Sequence, residues 1–494
     1  MDQNLCYHLA FLLCILILTK IFLRRKKNLP PCPFALPVIG HIHLLSDPVY
    51  KSLQTLSKKY GRVMSLKLGS RSVIVVSSPS AMEECITKND VVFANRPVPR
   101  HYGHYWRTLR RQTVVEIFSP KGIRKYSSTI QEEVRSLLCR LHKVSSLGTQ
   151  QKVDLNFLIG VLVTNTSMRI AFGKRCLGDK EAETEVEKEW LEEFKRMAFP
   201  SLMMQICDYI PILRLIGYGG IEKNMKKAQK KRDEYFQNLF DDIRLKRKRS
   251  RLDETSSGSQ GNRSVAEVLM DMQESDPNLY SDEIVKSTSI MMIVAGNEVI
   301  SSTLEWAMSL LLNHPVKMQK LRAEIDSQVG KDCLSNESDN DKLPYIRCVI
   351  NETLRLYPPL PLSVPHLSSE SCTVEGFEIP RGTMLMANTW ALHRDPELWS
   401  EPNEFKPERF EAVSGKRKSL KFLPFGMGRR VCPGAGLGMH ILSLTLGALI
   451  QCFDWDKVGV QEDMKECFKF SLTKAKPLEA LCTPRLDVIK FLSH

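Results

Sequence analysis

Apolar and polar residues follow different periods along the chain, and each period predicts a different kind of element. Residues 63–69 alternate between apolar and polar side chains, and residues 72–76 complete a predicted β-hairpin. From about residue 107 to residue 326 the period is mostly helical. Beyond residue 373 the pattern changes to short strands and proline-rich loops, before a last helix at about 436–453. The pattern predicts a mainly α protein with a minor β component and no internal repeat.

The longest predicted helix begins beside Ser281, whose side chain suits the N-cap position. Asp282 and Glu283 follow in the first turn, where carboxylates interact favourably with the helix dipole. The helical pattern then continues to about His314.

A basic segment interrupts the helical region. Residues 244–264 open with Arg-Leu-Lys-Arg-Lys-Arg and continue rich in serine, glycine and asparagine. This composition predicts a solvated loop beside an anionic membrane, with nucleic-acid binding or nuclear import as the alternative interpretation. The preferred interpretation assigns no nucleic-acid partner.

The N-terminus contains an apolar stretch at residues 5–23, in which only His8, Thr19 and Lys20 are polar. As a helix it would be roughly 28 Å long, enough for a thin bilayer. Arg-Arg-Lys-Lys follows at 24–27, which favours a signal anchor with the rest of the chain in the cytosol. A cleaved signal peptide is the alternative, but no basic residue precedes the stretch and no A-x-A-like site follows it.

These features predict three regions along the chain. Residues 1–23 form a transmembrane anchor, and residues 24–40 form a basic and proline-rich hinge that is stiff and extended. Residues 41–494 form the catalytic domain. No later segment is long and apolar enough to be predicted as a second span.

Composition narrows the class of protein. Of 494 residues, 43% are hydrophobic and 26% charged, as in ordinary globular domains, which excludes collagen-like and wholly disordered chains. The net charge of +14 suits acidic partners such as a reductase surface, anionic lipid or nucleic acid. The 14 cysteines are scattered without CxxC pairs, which excludes a disulfide scaffold or zinc module.

One cysteine has unusual neighbours. Cys432 lies in Phe-Gly-Met-Gly-Arg-Arg-Val-Cys-Pro-Gly, in which the glycines permit tight turns and the close approach of a flat group. A helix follows directly, and its N-terminal amides favour a thiolate. Arg430 adds a positive charge two residues away. These surroundings indicate a metal-bound thiolate rather than a structural cysteine.

The segment resembles the haem-binding signature F-x-x-G-x-R-x-C-x-G of the cytochrome P450 family, met by Phe425, Gly428, Arg430, Cys432 and Gly434. Two further motifs agree. Glu352 and Arg355 match the E-x-x-R motif, and Arg409 lies in the P-E-R-F segment that completes a Glu–Arg–Arg network in the family. The chain is similar to plant P450 enzymes, isoflavone hydroxylases and methylenedioxy-bridge-forming lignan oxygenases in particular.

The resemblance implies a P450 fold with haem b and roles for several residues. Cys432 would be the axial ligand of the haem iron. Trp106 and Arg110 match W-x-x-x-R, and together with Arg430 and His366 they would hold the haem propionates. The chain has no G-x-G-x-x-G fingerprint, so electrons from NADPH would come through a separate membrane-bound reductase. The implied protein is a monomer in the endoplasmic reticulum membrane.

The oxygen-activation motif departs from the family pattern. Ala295, Gly296 and Glu298 match it, but the expected threonine is Val299, which has no hydroxyl. A displaced hydroxyl from Ser301 or Ser302 could replace it, or the substrate or a water could supply one. Other interpretations are an oxidative ring closure or coupling, an isomerase or dehydratase reaction, and a haem-binding protein with little turnover.

The predicted substrate pocket is apolar and shortened. Relatives carry a much longer stretch where residues 98–105 alone separate Pro97 from Trp106 here. Either the pocket is open, or the sequence is a shortened variant or an incomplete gene model. Beside Ala295 and Val299, the expected lining residues are Val294, Leu360, Leu362, Ser363, Val364 and Leu472. We expect a monooxygenase that uses O2 to hydroxylate an apolar phenolic, isoflavonoid, lignan or terpenoid molecule.

Overall fold

A computed structural model describes residues 28–485 apart from 98–101, 146–150, 179–184, 199–205, 253–262, 414–419, 469 and several positions between 331 and 341. The predicted anchor, residues 1–23, lies outside the described residues. The α-helices are α1 (Val49–Tyr60), α2 (Pro79–Ile86), α3 (His104–Thr113), α4 (Pro120–Lys125), α5 (Ser127–Ser145), α6 (Leu155–Phe172), α7 (Glu185–Ala198), α8 (Ile206–Tyr209), α9 (Ile212–Leu215), α10 (Ile221–Leu252), α11 (Val265–Ser275), α12 (Asp282–Asn313), α13 (Pro315–Gln328), α14 (Pro344–Leu356), α15 (Thr389–Leu392) and α16 (Ala435–Cys452).

The strands are short and form four small sheets. They are β1 (Val63–Leu68), β2 (Arg71–Val76), β3 (Gln151–Asp154), β4 (His366–Leu367), β5 (Cys372–Val374), β6 (Phe377–Ile379), β7 (Met384–Ala387), β8 (Phe453–Lys457), β9 (Glu466–Phe468), β10 (Leu472–Lys474) and β11 (Glu479–Pro484). The largest sheet has the order β1-β2-β7-β4, and the others are β3-β11-β8, β5-β6 and β9-β10. The predicted architecture, mainly α with a minor β component, is confirmed.

The β1–β2 hairpin and the long central helix match the sequence pattern. In the hairpin, Val63 lies opposite Val76, and β2 continues into the sheet by pairing in parallel with β7. Helix α12 begins after Ser281 in extended backbone and ends at Asn313, because Pro315 starts the next helix. The sheet and this helix hold the segments that carry the motif residues.

The core surrounds α12, which packs against α6, α14 and α16. Within the residues that the structure describes, three helices, α6, α12 and α16, are long and apolar enough to span a membrane by length and composition alone, so the prediction that no later segment reaches this length and hydropathy is wrong. Most residues of α6 and α16 are buried inside the protein. A helix that is apolar all round is expected in the core of a large domain, so burial accounts for their composition.

The basic segment at 244–264 differs from its prediction as a loop, since α10 continues to Leu252. Lysine and arginine are good helix formers, and carboxylates on a neighbouring helix neutralise part of the charge. Arg247 pairs with Asp271 at 2.6 Å, and Arg251 pairs with Glu274 at 2.7 Å, both across to α11. Residues 253–262 of the segment lie outside the described residues.

Candidate active site

The loop that carries Cys432 is shaped by two glycines with left-handed backbone. Gly426 has a φ of +69° and Gly428 a φ of +68°, angles that side-chain-bearing residues rarely adopt. A Cβ on Gly428 would also lie 3.0 Å from Oδ1 of Asp90. The loop closes where the amide of Cys432 donates to the carbonyl of Phe425 at 2.9 Å. Glycine is therefore required for the loop to present Cys432.

Cys432 itself lies directly before α16, whose N-cap is Gly434. Although the residue is exposed, neighbouring protein atoms desolvate its thiol, and this burial raises the pKa of Cys432. The amide of Gly434 and the guanidinium of Arg110 act in the opposite direction. The helix terminus thus favours the thiolate, as the sequence predicts, but burial has the larger effect on the pKa of Cys432. The positive charge of a metal ion would favour the thiolate further.

Arg430 bridges two segments beside this loop. Its Nε donates to the carbonyl of Ala94 at 2.7 Å, and its guanidinium lies 3.8 Å from the ring centroid of Trp106. Its buried Nη2 has no hydrogen-bond partner within the part of the chain that the structure describes. A buried guanidinium donor without an acceptor is costly, so this atom is suited to an anionic group that enters the site.

Arg96 is a neighbour of Arg430 that the sequence analysis missed. It donates to the carbonyls of Val364 and Pro365, the latter at 2.9 Å. Burial, together with the charge of Arg430, lowers the pKa of Arg96 to about 10. Its position in Ala-Asn-Arg-Pro was a usable signal, because an arginine within an apolar segment needs a partner.

His366 belongs to the same cluster. Its Nδ1–H donates to the carbonyl of Phe93 at 2.7 Å, so Nε2 can donate only from the imidazolium form. Burial and the charge of Arg96 lower the pKa of His366 to about 4. The positive groups in this cluster lower one another's pKa values, which indicates positive charge that the cluster does not itself neutralise.

Trp106 and Arg110 lie on α3 and face the cysteine loop. Arg110 donates to the carbonyl of Val431, and the ring of Trp106 packs under Arg430. The structure thereby brings together the four predicted propionate contacts on one side of the loop, although they come from distant segments.

Hydrogen bonds join Tyr102, just before α3, to Asn95 and to the cysteine loop. The amide of Tyr102 donates to Oδ1 of Asn95 at 2.5 Å, and the Tyr102 hydroxyl accepts from Arg429 at 2.7 Å. Arg429 in turn pairs with Asp90 at 2.6 Å. These contacts, which sequence analysis also missed, tie the ends of the shortened segment to the cysteine loop.

Three of the predicted motif residues form a buried ionic network. Glu352 contacts Arg355 at 2.7 Å and Arg409 at 2.9 Å, and both Glu352 and Arg355 are 0% exposed. Arg355 also donates to the carbonyls of His393 and Pro402, both at 2.7 Å. The three residues that the motifs singled out are therefore in direct contact.

The oxygen-activation segment lies in the middle of α12. Ala295 is exposed, and Gly296, Glu298 and Val299 are half-buried, whereas Val294 is only 5% exposed. Val294 and Ala295 differ in exposure because adjacent helix positions point in different directions, and the placement of Val294 at the pocket stays a prediction.

The hydroxyls of both candidate serines donate to backbone carbonyls of α12. Ser301 donates to the carbonyl of Asn297 at 2.9 Å, and Ser302 donates to the carbonyl of Val299 at 3.2 Å. Thr303 donates to the same Val299 carbonyl at 2.7 Å. Hydroxyls that bond back to the preceding turn are common in helices.

The remaining predicted pocket residues differ in exposure. Val364 is exposed, and Leu360 and Leu362 are half-buried. Ser363 borders a cavity of about 40 Å³ together with His366 and Arg430, and its hydroxyl accepts from the amide of Ala387.

Leu472 is fully buried. It packs with Tyr50 and Trp390, because the alternation along β10 directs it into the core. Its placement in the pocket lining stays a prediction.

A mainly helical domain with one cysteine in a glycine-rich loop, beside a buried Glu–Arg–Arg network, defines a haem-thiolate class of oxidoreductase. The family model for Cytochrome P450 matches residues 30–482, so the chain belongs to the cytochrome P450 family and is a monooxygenase-type oxidoreductase. Members of this family contain haem iron, use O2 and generally take electrons from a reductase.

Plant proteins are among the similar sequences. Cytochrome P450 81Q32 of Catharanthus roseus is 42% identical over 100% of this chain and 99% of its own length. The (+)-piperitol/(+)-sesamin synthase CYP81Q2 of Sesamum radiatum is 40% identical, covering 93% of this chain and 91% of its own. An isoflavone 2'-hydroxylase of Medicago truncatula is 39% identical over 98% of each. The predicted resemblance is confirmed.

Proposed function

We propose that this protein is a membrane-anchored haem-thiolate monooxygenase that hydroxylates an apolar plant metabolite of the phenolic, isoflavonoid, lignan or terpenoid class. The observation that carries the proposal is the juxtaposition of Cys432 with a cluster of unneutralised positive groups. Haem b presents an iron, which a protein thiolate can ligate, and two propionate carboxylates, which positive groups can bind. Electrons would come from NADPH through a separate reductase, whose acidic surface would suit a chain of net charge +14.

The residues present fit haem b. Cys432 would ligate the iron, and Phe425, Gly428 and Gly434 belong to the loop that would lie against the flat ring. Arg430 supplies a buried donor that lacks a partner in the described part of the chain, and Arg110, Trp106 and the imidazolium form of His366 would join it around the propionates. When bound, thiolate-ligated haem supplies oxygen activation and cleavage of the O–O bond.

Arg430→Gln tests the proposed propionate cluster. The variant removes the charge and shortens the side chain while keeping an amide donor, so we expect haem to dissociate about tenfold faster, the loss expected for one charge-assisted hydrogen bond. Haem transfer to an excess of apomyoglobin, followed by absorbance, measures that rate. Arg111→Gln changes an exposed arginine on the same helix as Arg110 and should leave the rate unchanged. Equal rates for Arg430→Gln and the unmodified protein would contradict the assignment.

The distal side of the site supports an apolar substrate. Ala295 and Val299 on α12, with Leu360 and Val364 from the segment before β4, offer mostly aliphatic side chains. Such a pocket orients its ligand by shape, with few polar groups to fix it. Glu298 is the proposed residue for proton delivery, since it is the titratable side chain of this segment.

The 40% identity to a (+)-piperitol/(+)-sesamin synthase favours a second candidate reaction, oxidative ring closure. Turnover with reductase and a panel of isoflavonoids and lignans, followed by mass spectrometry, separates the two. Hydroxylation adds one oxygen atom to the substrate, whereas ring closure removes two hydrogen atoms. A haem-binding protein without turnover would consume no NADPH in response to any substrate.

Val299→Thr tests whether the lost hydroxyl limits the reaction. Valine and threonine have nearly the same shape, so the variant adds a proton donor with little change in packing. We expect product formed per NADPH to rise by at least about twofold if proton delivery is impaired. Val299→Ala changes the volume without adding a hydroxyl and should not give this gain. An unchanged ratio in Val299→Thr would show that another group already provides the proton.

Exposed apolar residues support attachment to the endoplasmic reticulum membrane with the catalytic domain in the cytosol. Phe34 and Val38 lie on the hinge, and Leu215 and Ile216 lie at the end of α9. Both groups flank the turn of the β1–β2 hairpin. The amide of Gly69 donates to Ile39 at 3.1 Å, and the amide of Ser70 donates to Tyr209 at 2.7 Å. This side would face the lipid beside the anchor at 1–23, with the protein monomeric in the bilayer.

A further inference from the structure

A hydroxyl from a distant strand reaches Glu298. Ser471 lies in the turn between β9 and β10, and its Oγ donates to Oε1 of Glu298 at 3.2 Å. Ser471 is completely buried, while Glu298 is half-buried in the oxygen-activation segment of α12. The contact joins residues that are far apart in sequence, so no local motif reveals it.

The backbone beside Ser471 is fixed on both sides. The amide of Leu472 donates to the carbonyl of Pro359 at 2.9 Å, and the carbonyl of Leu472 accepts from Nε1 of Trp306 at 2.8 Å. Trp306 belongs to the same helix as Glu298 and stacks on Tyr357 with a centroid distance of 3.8 Å. Because the strand is bonded to the helix that carries the acid, the hydroxyl is held in place relative to that acid.

The hydroxyls of α12 near this point serve a different purpose. Ser301, Ser302 and Thr303 all donate to backbone carbonyls of the preceding turn. A serine hydroxyl has one donor and two acceptor sites, so Ser471 can donate to a carboxylate and still accept from a water. If position 299 were threonine, its hydroxyl would form an acid–hydroxyl pair with Glu298. With Val299 in place, the hydroxyl bonded to this acid is that of Ser471.

We propose that Ser471 is a positioning residue for the proposed reaction, acting through Glu298. Its hydroxyl fixes the orientation of the carboxylate and offers an acceptor to water, in place of the hydroxyl absent from position 299. This inference rests on the proposed function, since Glu298 matters only if the protein activates oxygen. It also gives Glu298, in the middle of α12, a role in a chain that carries Val299.

Ser471→Ala is the primary test, and it is made on the full-length protein with reductase and a substrate that turns over. We expect product per NADPH to fall about fivefold, with the missing electrons recovered as hydrogen peroxide. Ser471→Thr, which retains a hydroxyl, should recover most of the product. Thr473→Val is the matched control, because the Thr473 hydroxyl lies on the same hairpin but donates to the carbonyl of Cys467.

A double-mutant cycle shows whether Ser471 acts through Glu298. Once Glu298→Gln has been introduced, Ser471→Ala should cause little further loss, because residues that act as a unit are not additive. The thermal unfolding midpoint and the substrate-induced absorbance shift serve as the readouts that do not depend on turnover. For Ser471→Ala the shift and the reduced carbon-monoxide spectrum should match those of the unmodified protein.

The outcomes are distinguishable. Full additivity with Glu298→Gln, or unchanged product per NADPH in Ser471→Ala, overturns the role of Ser471 while leaving the proposed function intact. Loss of the carbon-monoxide spectrum in Ser471→Ala also overturns it, because the serine would then be structural. If the unmodified protein gives no product with any substrate, the proposed function has failed instead.

Discussion

Replacing Cys432 by serine is expected to abolish the long-wavelength Soret band of the reduced, carbon-monoxide-treated protein, together with all turnover. A serine hydroxyl is not deprotonated as readily as a thiol and donates far less electron density to iron. The change alters one atom, and the loop geometry set by Gly426 and Gly428 stays available. The measurement is a difference spectrum of the expressed full-length protein, recorded beside the variant.

The control for this experiment is Cys32→Ser, which changes an exposed cysteine in the proline-rich hinge. Its spectrum and activity should equal those of the unmodified protein. A long-wavelength band that survives in Cys432→Ser would mean that another cysteine binds the iron. If the band is absent from both the control and the unmodified protein, the interpretation as a protein with little turnover is favoured.

Glu352→Gln is expected to destabilise the domain by about 3–5 kcal/mol, the cost of leaving buried charges without their partner. The carboxylate of Glu352 contacts Arg355 and Arg409, and Arg355 is fully buried. Total stabilities of domains are about 5–15 kcal/mol, so the loss is a large share. Denaturant unfolding followed by far-ultraviolet circular dichroism measures it, and haem content at low expression temperature provides a second measurement should little protein fold.

The matched control is Glu274→Gln on α11, an exposed carboxylate that also contacts two arginines, Arg247 and Arg251. Surface ion pairs of this kind contribute little, so the unfolding midpoint should not change measurably. Similar effects from the two variants would show that burial does not set the importance of the Glu352 network.

Much of the fold could be predicted because local patterns and local structure agree. The β1–β2 hairpin follows from alternation, and α12 starts after Ser281 with an acidic first turn as predicted, although the Ser281 side chain makes no capping hydrogen bond. The extension of α10 could not be predicted in the same way. A run of lysine and arginine suits both a loop and an exposed helix, and the deciding ion pairs to Asp271 and Glu274 come from another segment.

The site was predictable only where a motif is continuous in sequence. Cys432 and the Glu352–Arg355 pair were found this way, whereas Arg96, Tyr102 and Asp90 were missed because they join distant segments. Adjacent positions of a strand point to opposite faces, so a shift of one residue changes which side chain reaches the site. Ser471 therefore contacts α12, whereas Leu472 enters the core.

The hydrogen bond between Asn95 and Tyr102 joins two points of the chain that lie seven positions apart. Added length in a loop whose ends are joined costs little entropy. Insertions after Pro97 are therefore expected to leave Trp106 and Arg430, which contact each other at 3.8 Å, in place. The length of the chain at this point can thus vary independently of the cluster around Arg430.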